Sequence, residues 1–578
     1  MPEPRARAGR KPKKHRKSAA PAPAPKPARR WWLYPLAAAV VSYIAFQVYA
    51  PALHGPYVFD DTILPYHLPD FSNSLMVWIS GVRPLLMFTY WANYQLSHDP
   101  FGFHVVNVLI HIANSFLIFL IVRRLLRPES ALLLPAFAGA VFLLHPVQTE
   151  SVSYIAGRSE SLSVFFLLAA FAVFLYRRQT VVSWRVAIAV LLLFGAALTS
   201  KEHTLVLPVL LLLTDYYWNP GFSLDGIRRN WRLYAPIALG AAGGVVLVVE
   251  VLARAPSAGF SVKGITWYQY FFTECRAFFV YLRLFVFPVG QNLDWEFPVS
   301  HTILDRGAVF GFFAILLLVG AAIYYRRRYP LASYGFLVYI LLMAPTSSFV
   351  PIKDPIAERR LYLPMIGLLL VVTAVLRHVH WDRRKMTASL CAVQVVLAVL
   401  TYRRNLLWAN DVAVWEDAAR KSPGKARVHF QLAHTYYTDG RCLDAVAQYA
   451  ETARLQKPDY ALLVDWGLAC DCAGEPETAI AKLRQAAALH ASAHVYSQIG
   501  MVYAKQSRWQ EALDALARAQ QLDPKLPYTY YYRGGVFAKT GNFAAAVSNY
   551  QRALALDPSL EPARQGLIYA EGQLHKPR

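Results

Sequence analysis

Charge is scarce in this 578-residue chain: Asp, Glu, Lys and Arg make up 16% of it, against 56% hydrophobic and 14% aromatic residues. One water-soluble globule needs more polar surface than that, so the composition points to a membrane protein. Cysteine is rarer still. The five, at 275, 391, 442, 470 and 472, form no CxxC pair and no zinc spacing, so neither a disulfide framework nor a cysteine metal site is predicted. Cys470 and Cys472 read as small thiols packed within a helix. No histidine is read as a metal ligand, and no metal held by protein groups is predicted. Acidic residues are outnumbered 36 to 59 by basic ones, for a formal net charge of +23. A nucleic-acid binder would gather that excess on one soluble face. Here it sits in a tail and in short loops, so no nucleic-acid partner is expected. The charge-poor part also shows no internal repeat and no charges spaced through its apolar runs, which argues against a transporter.

What the chain has instead is apolar length. Residues 1–30 are Lys, Arg, Pro and Ala and cannot bury a core; they are expected to form a disordered, basic cytoplasmic tail. The first apolar run, Trp31 to Tyr49, lacks a small-residue cleavage site and reads as an uncleaved spanning helix. Further runs at 103–123, 131–145, 159–177, 184–200, 203–219, 233–252, 306–325, 331–346, 361–378 and 386–402 bring the predicted crossings to about 11. Two stretches, 80–97 and 266–288, mix aromatics with Arg83, Asn93, Glu274, Arg276 and Arg283, and read as interfacial or re-entrant helices. With those set aside, Arg123-Arg124, Arg177-Arg178, Arg228-Arg229, Arg326 to Arg328 and Arg383 to Lys385 all fall on one side. The loops at 51–79, 146–158, 253–265, 289–305 and 347–360 then lie on the other side, and the odd count sends the C-terminal domain there too.

After Tyr402 the composition becomes that of a soluble domain and a repeat emerges. Ala433, Gly467, Gly500 and Gly534 recur at 33 or 34 residues, as do Gly440, Gly474, Ser507 and Gly541, and Ala445, Ala479, Ala512 and Ala546. Small residues where paired helices cross, at that period, are the tetratricopeptide (TPR) signature. Four repeats are predicted, at 426–459, 460–492, 493–526 and 527–560, after a lone helix from Asn405 to Arg420 and before a capping helix. Such stacks present a concave binding surface.

The polar segment most suggestive of chemistry is Phe59-Asp60-Asp61, just after the first span. Paired carboxylates raise each other's pKa, so one can serve as a base near neutral pH. Equally, one can cap the next short helix. Ionisable groups close to the membrane tend to mark function. The outer loops supply Arg83, His145, Glu150, Arg158, Glu160, Lys201, Glu202, Glu358, Arg359, Arg360 and Tyr362. Arg158 with Glu160 also reads as an exposed ion pair, and His104 or His111 as a packing residue.

Taken in order, Phe59-Asp60-Asp61, Arg83-Pro84-Leu85, Asp99 to His104 with Asn107 and His111, His145 to Glu150, Gly157 to Glu160, Ser200-Lys201-Glu202 and Glu358 to Pro364 resemble the TMTC family. Those are transmembrane and TPR-containing O-mannosyltransferases of the GT-C superfamily. The resemblance implies an all-α fold: a polytopic GT-C-type membrane domain over 31–402, followed by a TPR α-solenoid over 403–578. It also implies a polyprenyl-phosphate-linked sugar as donor, with no tightly bound cofactor and no required metal. Asp60 would be the base of an inverting displacement and Asp61 its support. Arg359 and Arg360, then Arg83 and Arg158, would hold the donor phosphate, with His145, Glu150, Glu160, Lys201, Glu202, Glu358 and Tyr362 supporting. The expected partners are the lipid-linked donor, the bilayer and a protein or peptide acceptor in the TPR groove. The Arg- and Ala-rich composition suggests a bacterial inner-membrane protein with a periplasmic site, or a lumenal one in a eukaryotic endoplasmic reticulum. The rival expectation is a non-catalytic, membrane-anchored TPR scaffold that assembles envelope proteins.

Overall fold

The computed structural model describes residues 33–64, 74–126, 132–218, 222–254 and 257–575; the predicted tail at 1–30 lies outside them. Among the described residues every regular element is helical, apart from one antiparallel bridge between Ala258 and Ile352. Each of the eleven predicted apolar runs contains a helix, but the helices differ in length. Six are long and apolar enough to cross a membrane: those around 35–52, 100–126, 155–175, 231–253, 305–327 and 383–408. The other five, Leu133–Leu144, Trp184–Leu198, Leu207–Trp218, Pro330–Met343 and Met365–Leu376, have 12 to 15 residues. Twelve residues rise about 18 Å, short of the roughly 30 Å of hydrocarbon. Three of these short helices give way to 3-10 turns on the predicted outer side: Pro146–Gln148, Glu202–Val206 and Glu358–Leu361. Glu202, Glu358, Arg359 and Arg360 lie on two of these turns and His145 immediately before the third, so the apolar helices end where a buried polar layer begins.

The membrane body packs through small residues. A Cβ on Gly335 would meet the Gly367 carbonyl oxygen at 2.8 Å, so Pro330–Met343 and Met365–Leu376 cross backbone to backbone. Arg124, Arg177 and Arg178 line one cleft with Asp215. The predicted helix at 80–97 is Pro84–Leu96, and a separate short helix, Leu75–Ile79, precedes it. The break falls where Pro84 takes the first turn of the second helix, which suits its fixed φ and missing N–H. The predicted 266–288 helix is Trp267–Val286, started by a capping box between Thr266 and Gln269.

The last membrane helix runs on past 402 to Trp408, and Asn410 caps a separate helix, Asp411–Lys421. The predicted lone helix at 405–420 is thus two pieces, because the Asn410 side chain accepts the Ala413 N–H and stops the first from continuing. Four helix pairs follow, from Ala426–Thr438 with Cys442–Leu455 to Pro527–Lys539 with Phe543–Leu556, and Glu561–Leu574 closes the stack. Gly474 turns between its helices at φ +80°, and Ser507, at the equivalent place, is held at +60°.

One sequence expectation is overturned in the solenoid. Cys442 and Cys472 form a disulfide across 30 residues, joining the first two repeats with a Cα–Cα distance of 5.7 Å. Their 30-residue spacing, close to one repeat length, places them side by side, which a search for CxxC pairs does not test. Cys470 remains a buried thiol.

The solenoid is seated on the loops at 289–305 and 347–360 of the body. Arg427 makes a two-pronged ion pair with Asp294 at 2.7 and 2.5 Å and reaches Asp354 at 2.9 Å, while Lys425 bonds the same two carboxylates. Ser422 Oγ takes N–H bonds from Asn292 and Glu296, and the Asp294 carbonyl accepts its proton. Beneath this polar network, Val58, Tyr154, Leu293 and Trp408 share one apolar cluster with Trp415, Val428 and Leu432.

Candidate active site

The acidic pair sits in a 3-10 turn, Phe59–Ile63, entered through a left-handed Phe59 at φ +51°. Its two carboxylates have different surroundings. Asp61 is buried; one oxygen accepts the Val58 N–H at 3.1 Å and the other the Ala156 N–H at 2.7 Å. Burial pushes its pKa up to about 8, against the pull of those N–H donors. Asp60 is half-buried, and its backbone N–H donates to the Tyr154 hydroxyl at 2.9 Å. The two residues divide: Asp61 caps its own turn and ties it to the 146–158 loop, while Asp60 lines a cavity.

That cavity, about 720 Å³, is lined by Asp60, Arg83, Tyr90, Tyr154, Ser159, Lys201 and Arg359 on its polar side. Trp78, Val77, Val82, Leu86 and Met87, from the two short outer helices and the turn between them, form an apolar side. Each cation is held from behind by a glutamate. Arg83 makes a bidentate pair with Glu202 at 3.0 and 2.6 Å; Lys201 bonds Glu160; Arg359 bonds Glu150 through its guanidinium, and its backbone N–H reaches the other Glu150 oxygen at 3.0 Å. Burial would raise Glu202, but the Arg83 charge outweighs it and brings the carboxyl down to about 2. Arg83 and Arg359 keep about a third of their side-chain surface open. Paired and fixed, yet reachable from the cavity, they are preorganised to meet negative charge without rearranging.

Several predicted site residues lie elsewhere. Arg158 is fully buried, with its donors taken by Asn107, Thr89, Asn93 and Phe103 and its guanidinium 4.7 Å from the Tyr90 ring centre. It is not an exposed partner of Glu160, which belongs to Lys201 and lies 3.5 Å from His203. Arg360 points away from the cavity to the Asp354 and Pro355 carbonyls, the Tyr270 hydroxyl and Glu274. Both guanidiniums are spent on structure and neither lines the cavity, whose cations are Arg83, Lys201 and Arg359. His145 caps the turn at Val147 and bonds the Phe285 carbonyl. Tyr362 is buried against His111 and Asn114. Glu358 accepts from Gln291 and the Asn292 amide, and burial lifts it to about 7. It therefore holds the loop that carries the solenoid. His104 and His111 are packing residues, bonded to the Gly55 and Leu143 carbonyls.

Tyr154, Tyr90 and Trp78 were missed. Tyr154 lies within the predicted loop at 146–158, but nothing in its spacing shows that its hydroxyl reaches Asp60. Among the described residues no group of three or more His, Cys, Asp or Glu is arranged to hold a metal ion. The sequence does carry one His-x-x-x-His spacing, His490 to His494. It spans a helix start, His490 meeting the Tyr460 ring and His494 bonding Gln498, so the two do not share a helical face.

Apolar spans, a buried polar layer with an acid facing three cations, and a repeat array bolted to that layer define a polytopic helical membrane protein with a TPR solenoid. The comparisons agree. Residues 491–559 match the family model described as Tetratricopeptide repeat. A protein O-mannosyl-transferase of Caenorhabditis elegans is 24% identical over 390 residues, covering 65% of this chain and 54% of that protein. TMTC3 of Mus musculus is 25% identical (65% and 44% covered), and TMTC1 of Homo sapiens 24% identical (72% and 55% covered). The chain spans about half the length of the curated relatives it matches. Among solved structures, the TPR protein YrrB aligns at 20% identity over 30% of this chain and 88% of its own, with a TM-score of 0.24. The curated relatives are TMTC-family protein O-mannosyl-transferases, the family that the motifs resemble, and the chain shares with that family a set of apolar helices followed by a TPR domain.

Proposed function

We propose that the chain is a membrane glycosyltransferase that moves one mannose from a polyprenyl-phosphate carrier to a Ser or Thr hydroxyl of a protein. The observation that carries this reading is one cavity lined by Asp60 together with Arg83, Lys201 and Arg359. Asp60 takes the proton of the acceptor hydroxyl as its oxygen attacks the anomeric carbon. The bond from that carbon to the phosphate oxygen breaks on the opposite face, so configuration inverts. Polyprenyl phosphate leaves with the bonding pair, and the three cations stabilise its new charge. The reaction calls on no cofactor beyond the donor itself.

The apolar side of the cavity supports a lipid-linked donor: Val77 and Val82 line it, and next to them Met76 is 70% exposed. The names of the relatives support mannose and a protein acceptor. The Cys442–Cys472 bond supports a solenoid in an oxidising compartment, which is the periplasm for a bacterial protein. The test is transfer of labelled mannose from polyprenyl-phosphate mannose to peptide by the purified full chain. Asp60→Asn should lower the rate by about 10²–10⁴-fold, as loss of a general base does, with expression and melting unchanged. Turnover that survives this change would remove Asp60 as the base. A wild-type chain that transfers nothing, while its residues 403–578 on a foreign membrane helix still restore function in cells, would favour the scaffold.

A further inference from the structure

The residue before Asp60 is held from an unexpected direction. Phe59 adopts φ +51°, a conformation that a bulky side chain keeps only when its surroundings hold it there. The edge-to-face partner of its ring is Trp415, with centroids 5.5 Å apart and planes at 78°, in the first helix after the membrane body. The Arg427 guanidinium stands 5.6 Å from the centre of the same ring, itself fixed by Asp294 and Asp354. On the other side of Asp60, the Tyr154 hydroxyl that accepts its N–H belongs to a ring stacked 5.9 Å from Trp408, where the last membrane helix ends. Released from Trp415 and Arg427, Phe59 would relax to negative φ and rotate the peptide that aims Asp60.

We infer that Trp415 and Arg427 are positioning residues, so that the start of the solenoid is a working part of the site and not a detachable reader of acceptors. The inference deepens the proposed transferase reading and rests on it for its kinetic consequence, but its structural part can be measured separately.

The experiment uses the full chain in detergent, with hydrogen exchange of segment 57–64 read beside mannose transfer. Trp415→Ala should raise exchange of that segment at least tenfold while residues 493–556 exchange as in wild type. It should also lower kcat at least tenfold at unchanged KM for polyprenyl-phosphate mannose, and Trp415→Phe should restore both. Unchanged exchange in Trp415→Ala, or wild-type kcat despite raised exchange, would overturn the positioning role. Raised exchange in a protein whose wild type transfers no mannose would leave the coupling intact and refute the transferase reading alone. If Trp415→Ala disorders the solenoid itself, Phe59→Leu breaks the same contact from the loop side and should give the same rise; no rise there would equally overturn the inference.

Discussion

The polar layer of the membrane body and the TPR array meet at Phe59, and they are built on opposite plans. The array repeats one solution: a small residue at the crossing of each pair, as where Gly500 lies under Leu516, and a turn held at positive φ. The polar layer repeats nothing. Asp60, Arg83, Lys201 and Arg359 come from four separate loops, and each has its own partner. An error in the array is shared with neighbours of the same kind. In the layer, each group removed leaves one specific buried partner unpaired.

The buried guanidiniums offer the strongest way to test that contrast. Arg158→Ala or Arg360→Ala should cost about 3–5 kcal/mol or prevent folding, since each strands several buried acceptors. Arg359→Ala should leave the fold measurable and lower mannose transfer by about 10²–10³-fold. Size-exclusion profiles and initial rates separate the two outcomes, and a stable, inactive Arg360→Ala would return that residue to the site. Next comes the disulfide. Cys442→Ser should destabilise the solenoid by about 2–4 kcal/mol, seen as a lower midpoint in urea, with the membrane body unaffected.

A pH series probes the layer more finely. Because Asp61 has a folded pKa of about 8, above its usual value of 3.8, the folded state binds the extra proton between those limits. Stability is therefore fully present at low pH and falls as pH rises towards and through 8, by at most about 1.4 kcal/mol per unit. Melting of wild type against Asp61→Asn from pH 5 to 8.5 should show a steeper fall in the former, the slope left in the variant being that of Glu358 and other raised acids. The smallest effect belongs to the array: Ser507→Gly should raise its stability by about 0.5–1 kcal/mol, because glycine holds φ +60° without strain.

The same contrast explains what could be read from sequence. The four repeats of the solenoid were legible, because Gly440, Gly474, Ser507 and Gly541 announce each turn independently, but the Cys442–Cys472 bond and the break at Asn410 were not. Membrane helices were legible as apolar runs, but not their ends: Leu133–Leu144 stops at His145 for reasons that lie in Phe285 and Gln291. Charge in the loops singled out Arg158, Arg359 and Arg360, but not where each side chain goes. Arg359 and Arg360 are neighbours on one 3-10 turn, where successive side chains diverge, so one reaches Glu150 at the cavity and the other goes into the wall. Asp60 and Asp61 divide for the same reason. Tyr154 and Trp415 left no trace, since their roles depend on contacts 94 and more than 350 residues away along the chain.

The attachment of the array has a mechanical side. Asp294, Trp295, Glu296 and Asp354 accept hydrogen bonds from donors that all lie within residues 422–427, and each later repeat rests on its neighbours. That arrangement is a cantilever clamped at one end. Small angular play at each repeat interface adds up with distance from the clamp, so the first repeat keeps near-fixed register with Asp60 while Glu561–Leu574 sweeps the widest arc. An acceptor gripped by the outer repeats would be searched for over a broad volume, and the same chain threaded past Trp415 would be delivered with the accuracy that bond formation requires.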